Sequence, residues 1–192
     1  MVEVCVKQSL LRAGVLSVSL SVSLLVSLLV SSLASVAFGA NAPTVANNGM
    51  VVSANAISSE IGKQVLQDGG SAVDAAVATA FALAVTHPTA GNIGGGGFLI
   101  YRPAKGDPTA YDFREVGPGA SYPEMWLVDG EYNFQKHHMS YASVGVPGTV
   151  AGLHAAWEAE GRLPWKRLVE PAIKLAKNGI VITQGLAQSI KR

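Results

Sequence analysis

GNIGGGGF, running from Gly91 to Phe98, joins an almost wholly apolar segment to two strand-like runs. Upstream, SAVDAAVATAFALAVT (71–86) predicts a helix. Ser71 and Asp74 stand three places apart, the spacing of a capping box. After Asp74 the segment is apolar on every side, which predicts a helix buried all round. Pro88 ends it, because the residue before a proline is pushed out of helical geometry. Downstream, 98–101 and 109–113 predict paired strands joined through RPAKGDP (102–108). Side chains alternate along a strand. Tyr111 and Phe113 therefore share one face, and Ala110, Asp112 and Arg114 the other.

Working outward, MVVSA (50–54) predicts a short strand. AISSEIGKQVLQDGG (56–70) carries Ile57, Ile61 and Val65 at a spacing of four, with Leu66 beside them. That is one apolar stripe on a helix, and Gly69-Gly70 stops it. Residues 117–138 read as a long structured loop, with a turn at Asp129-Gly130. A strand-to-helix turn follows at Val146-Pro147-Gly148, and its helix sets Val150, Leu153 and Trp157 on one stripe up to Gly161. Pro164 suits the first turn of a short helix, and Pro171 the first turn of a second over 172–179. Thr183 caps a last helix running to Arg192.

The chain has 192 residues, few of them charged, and a formal net charge of +1. Setting aside Glu3, Lys7 and Arg12 leaves twelve charges of each sign, so no basic field points to nucleic acid. Lys7 and Arg12 precede an uncharged run to Ala40 that closes on the small residues of SVAFGA (35–40). This is the layout of a secretory signal over 1–40, with cleavage after Ala37 or Ala40. By length the same run also suits an uncleaved anchor. Either way the protein is expected to be exported, to a periplasm or outside the cell. The single cysteine, Cys5, lies in this segment. Residues 41–192 therefore hold no thiol nucleophile, no disulfide and no cysteine-based metal site.

Four successive glycines invite a phosphate-loop reading, but nucleotide loops run from strand to loop to helix. Here the order is helix, loop, strand, and no Gly-Lys-Ser/Thr follows. The glycines either permit a crowded turn or line a substrate pocket. Arg114 is either a surface charge paired with Asp112 or Glu115, or a planar fork for a carboxylate. His87, His137, His138 and His154 form no HExxH pattern, and no Gly-x-Ser-x-Gly elbow occurs. No metal or cofactor is expected.

GMVVSAN (49–55), GGSAVDAAVATAFALAVTHPTAGNIGGGGF (69–98), DFRE (112–115), VPGTVAGL (146–153) and PAIKLAKNG (171–179) together resemble the gamma-glutamyltranspeptidase family. The resemblance covers 50–192. It implies an α+β fold of the N-terminal-nucleophile hydrolase type, an αββα sandwich that would be incomplete in this stretch. It implies a precursor that cuts itself, releasing a small subunit whose N-terminal threonine attacks gamma-glutamyl amides such as glutathione. The acyl group then passes to an amino acid, a peptide or water. It also implies that Arg114 contacts the donor's alpha-carboxylate. The family's Thr-His-x-Ser context is not met: Thr86-His87 is followed by Pro88, and Thr149 opens a helix. Residues 41–192 thus read as the N-terminal part of a large subunit, without a catalytic nucleophile and inactive alone. A cephalosporin-type amide acylase of the same family, and a non-catalytic exported module binding amino-acid carboxylates through Arg114, are the competing expectations.

Overall fold

The computed structural model describes residues 43–191. The signal or anchor expected over 1–40, and Arg192, lie outside them. The chain divides into two compact units, Met1–Val45 and Ala46–Arg192. Of the first, only 43–45 are described, and they form neither helix nor strand. No helix among the described residues is long and apolar enough to cross a membrane.

The second unit is α+β. Helix α1 (Ala56–Gln67) and helix α2 (Ala72–Thr86) come first. Strands β1 (Phe98–Tyr101) and β2 (Thr109–Asp112) form one antiparallel pair, and β3 (Leu127–Val128) and β4 (Glu131–Tyr132) another. Helices α3 (Phe134–His138), α4 (Thr149–Glu160), α5 (Trp165–Asn178) and α6 (Gln184–Ile190) complete the order.

Helix α2 is the hub, with α1, α4 and α5 all packed against it. Its alanines let neighbouring backbones approach closely, and Val73, Ala75, Val77, Ala78, Phe81 and Ala82 are buried. Phe81 meets Trp165 of α5 edge-on, ring centres 5.5 Å apart, a favoured aromatic geometry. The burial is not all round, as the sequence had suggested. Ala76 is exposed, and Ala80 and Leu83 are only half-buried. With Met50, Val51 and Val52 they border an open groove of about 450 Å³. An apolar segment signals burial, but which sides are covered depends on the elements available to cover them.

The α2 start carries the expected capping box: Ser71 Oγ accepts from Asp74 N, and the Asp74 carboxylate accepts from Ser71 N. Helix α1 ends as expected at Gly69, which takes the left-handed φ of +87°. Gly70 N donates to Val65 O and Gly69 N to Leu66 O, the Schellman pattern of helix termination.

Four expectations are corrected. The buried face of α1 is Ser58, Gly62 and Val65, not the Ile57–Ile61–Val65 stripe. Small residues win there because α2 lies so close: a Cβ on Gly62 would collide with Thr79 Oγ1. Ser58 and Thr86 hydroxyls bond across the contact at 2.7 Å. In α4 the buried face is Thr149, Gly152, Leu153 and Ala156, and Val150 is 43% exposed. Residues 165–178 form one helix, not two, with Pro164 as its N-cap and Pro171 inside it. The lost N–H bond of that proline is outweighed by burial of Leu168 and Ala172 on α2. Residues 50–54 are not a strand, since strand pairing needs a partner, and β1 pairs with β2 alone among the described residues.

The 117–138 stretch also has more structure than a loop. A short 3₁₀ turn (Pro123–Trp126) leads into β3 and β4, joined through Asp129 and Gly130 with φ of +52° and +82°. Positive φ at both central residues is the signature of a tight hairpin turn that twists with its strands.

Candidate functional site

The β1–β2 register sets the site. Phe98 faces Asp112 and Leu99 faces Tyr111, and Phe113 N extends the ladder by donating to Gly97 O at 3.1 Å. Leu99, Tyr101, Tyr111 and Phe113 pack on the core. Phe98, Ile100, Ala110, Asp112 and Arg114 lie on the open side. The alternation read from the sequence therefore holds, and Arg114 leaves the strand end exposed.

Phe113 is the anchor beneath that arginine. Its ring lies against Gly97 and under Gly152 of α4, where any Cβ would collide with it. Gly148 comes just as close to the Phe113 carbonyl. These are approaches that only glycine permits. With Phe113 held from both sides, the next residue has little freedom.

Asp112 and Glu115, the two candidate ion-pair partners, are used otherwise. Asp112 Oδ1 accepts from Arg114 N at 3.1 Å, closing a local turn on the backbone. The Glu115 carboxylate folds toward the glycine loop, so that a Cβ on Gly96 would strike it. Among the described residues the Arg114 guanidinium pairs with neither.

The glycine loop is both crowded and held. Gly91 lies hard against the Leu83 carbonyl, and Gly96 against Arg114 Cα and Glu115 N. Gly95 O accepts from Gly148 N at 2.8 Å and Thr149 N at 3.1 Å. A loop carbonyl thus caps α4, whose N-cap Gly148 has no side chain to do so. The Asn92 amide oxygen accepts from Gly95 N at 3.0 Å and from the Thr149 hydroxyl at 2.6 Å. Val116 and Val146 exchange backbone hydrogen bonds beside this junction. Loop, DFRE strand end and α4 turn are therefore one assembly.

Asn92 and Thr149 were missed as site residues by sequence reasoning. An asparagine just ahead of a glycine run is an available signal, since its side chain readily turns the backbone that follows. Asp74, read only as a cap, has a second role. It is fully buried and also accepts from the backbone N–H groups of Arg162 and Leu163, tying the α4–α5 link to the start of α2. The histidines take ordinary partners. His137 and His138 share the Tyr132 hydroxyl at 2.9 and 3.0 Å, and His154 sits between Trp157 and Trp165 beside Glu158. Among the described residues no group of three or more His, Cys, Asp or Glu is placed to hold a metal ion.

Residues 58–192, most of the chain and all of this assembly, match the family model described as Gamma-glutamyltranspeptidase. The chain belongs to the gamma-glutamyltranspeptidase family. Within it, the chain is 45% identical over 150 residues to a glutathione hydrolase proenzyme of Escherichia coli strain K12, covering 78% of this chain and 26% of that protein. It is 49% identical over 145 residues to a glutathione hydrolase proenzyme of Pseudomonas sp. strain A14, covering 75% and 25%. The crystal structure of Helicobacter pylori gamma-glutamyltranspeptidase superposes with a TM-score of 0.74 at 44% identity, covering 78% of this chain and 43% of that one. The chain spans about a quarter of the length of the curated relatives it matches.

Proposed function

We propose that this chain is the N-terminal part of the large subunit of a gamma-glutamyltransferase that cleaves glutathione and other gamma-glutamyl amides. Arg114 binds the alpha-carboxylate of the gamma-glutamyl donor. One observation carries this reading: an exposed arginine stands on a backbone fixed by Asp112, Phe113 and the glycine loop, with its guanidinium paired to neither neighbouring carboxylate. A planar, preorganised fork of this kind suits bidentate capture of a carboxylate. A small subunit cut from the same precursor supplies an N-terminal threonine, whose hydroxyl attacks and whose amine serves as base. Arg114 contributes orientation, presenting the gamma-carbonyl to that hydroxyl. Amino acids, peptides or water accept the acyl group. The complete protein closes the αββα sandwich, of which the helices around α2 form part of one helical layer. Residues 1–40 direct export to a periplasm or the cell exterior, and an intact Met1 on the exported protein, seen by mass spectrometry, would rule out their cleavage.

The test is kinetic. In the processed precursor, Arg114→Ala or Arg114→Lys should lower kcat/KM for gamma-glutamyl donors while self-cleavage proceeds. Arg114 is exposed here; where donor binding in the processed protein desolvates the pair, its loss costs about 2–5 kcal/mol, or about thirtyfold to several thousandfold. Unchanged kinetics would end the proposal, and equal loss of self-cleavage would assign Arg114 to folding. Faster turnover of cephalosporin-type amides than of gamma-glutamyl donors would favour the acylase reading.

A further inference from the structure

We infer that Asn92 is a positioning residue for Arg114, acting through the glycine loop rather than by touching a ligand; the inference rests on Arg114 being the carboxylate clamp. The link runs through four hydrogen bonds and three close backbone approaches. The Asn92 amide oxygen accepts both the Gly95 N–H and the Thr149 hydroxyl. Gly95 O in turn receives the first free N–H groups of α4, from Gly148 and Thr149. Gly96 then lies directly against Arg114 Cα and Glu115 N, and Gly148 against the Phe113 carbonyl. The loop between Asn92 and Gly96 carries only the Ile93 side chain, apolar and 58% exposed, which has no hydrogen-bonding group to hold its course. Its shape is set by that one oxygen and by the cap on α4.

The oxygen is well chosen for this task. Thr149 is buried, so its hydroxyl has no ready substitute for Asn92 Oδ1. Glycines lose more conformational freedom on ordering than other residues, so a run of four needs an external restraint. The amide nitrogen of Asn92 contributes less, reaching Ala90 O at 3.3 Å. The acceptor, not the donor, is therefore what the position requires. Aspartate preserves it, and leucine, of similar shape, removes it.

The experiment uses the complete, processed protein and two donors. One is a gamma-glutamyl anilide; the other is the 4-aminobutyryl anilide, the same amide without the alpha-carboxylate. Asn92→Leu should raise KM for the first by about tenfold to a hundredfold, the scale of a small misplacement of a binding group. Its kcat/KM for the second should match the parent's, because that donor offers nothing for Arg114 to hold. Asn92→Asp should restore the parent's KM. Should Asn92→Leu fail to fold or to self-cleave, Thr149→Val, which removes only the second hydrogen bond to the same oxygen, carries the same comparison. Equal loss on both donors, or failure of aspartate to rescue, overturns the inference. Arg114→Ala distinguishes the two levels. If it too affects both donors equally, the carboxylate clamp itself is wrong; if it discriminates and Asn92→Leu does not, only the positioning role falls.

Discussion

Removing the Asp74 carboxylate should unfold this region more readily than any surface change. Asp74 is fully buried and, among the described residues, has no cationic partner; backbone N–H groups of Ser71, Arg162 and Leu163 satisfy it instead, at 2.8–3.2 Å. The positive end of α2 adds to that. A hydrogen bond to a charged group contributes about 1.5–3 kcal/mol, and an orphaned buried donor costs about 1–3 kcal/mol. Three donors share one carboxylate, so these terms do not add in full. Arg162 is exposed and Ser71 and Leu163 half-buried, so water recovers part of the loss. Asp74→Ala should therefore cost about 3–4 kcal/mol, including about 1 kcal/mol for the cap. Asp74→Asn keeps the shape but turns an amide N–H₂ toward an N–H donor, and should cost about 1–2 kcal/mol. Urea unfolding read by tryptophan fluorescence suits the measurement, because Trp157 and Trp165 pack beside the α2–α5 contact. The slope must stay constant for the midpoint shift to report stability. A loss below about 1 kcal/mol for Asp74→Ala would refute the claim that this carboxylate ties α2 to the α4–α5 link.

Gly152→Ala places a methyl group in the Phe113 ring and should cost about 1–3 kcal/mol by the same assay, as overpacking does. Ser58→Ala should cost about 1–2 kcal/mol because it leaves the buried Thr86 hydroxyl without its 2.7 Å partner; adding Thr86→Val should then cost less than its single effect implies. The Asp68 carboxyl is held below its ordinary range by its hydrogen bond from Gln64 and, next, by Arg167. A lowered folded-state pKa supports stability above the unfolded value and loses it as pH falls through the folded one. Asp68→Asn should accordingly flatten the fall in unfolding midpoint on acidification below the normal carboxylate range, modestly, since the pair is solvent-screened. An unaltered pH profile would count against the pairing.

Local rules made several features legible. The Ser71–Asp74 box, the Gly69 stop and the strand alternation through Arg114 depend on residues a few positions apart, and each stands where expected. The DFRE and glycine-rich motifs sufficed to name the family, because such a combination carries its meaning without coordinates. Helix faces were less legible. On α1 Ile57 and Ile61, and on α4 Val150, lost the buried positions to Ser58, Gly62 and Gly152, while Val65 and Leu153 kept theirs. Hydrophobic periodicity cannot register this, because close backbone approach rewards smallness rather than apolarity.

From its order of residues alone, this chain specified the stop of α1 at Gly69, the Ser71–Asp74 cap of α2, which strand face carries Arg114, and the family to which it belongs. Tertiary structure decided the rest. It runs the α5 helix through Pro171, makes Asp74 a tie across 88 positions of sequence, and lets Asn92 hold the Thr149 hydroxyl 57 positions away. The reason is physical: caps and alternation are set by neighbours in sequence, whereas burial and hydrogen-bond partners are set by whichever surface the fold brings alongside.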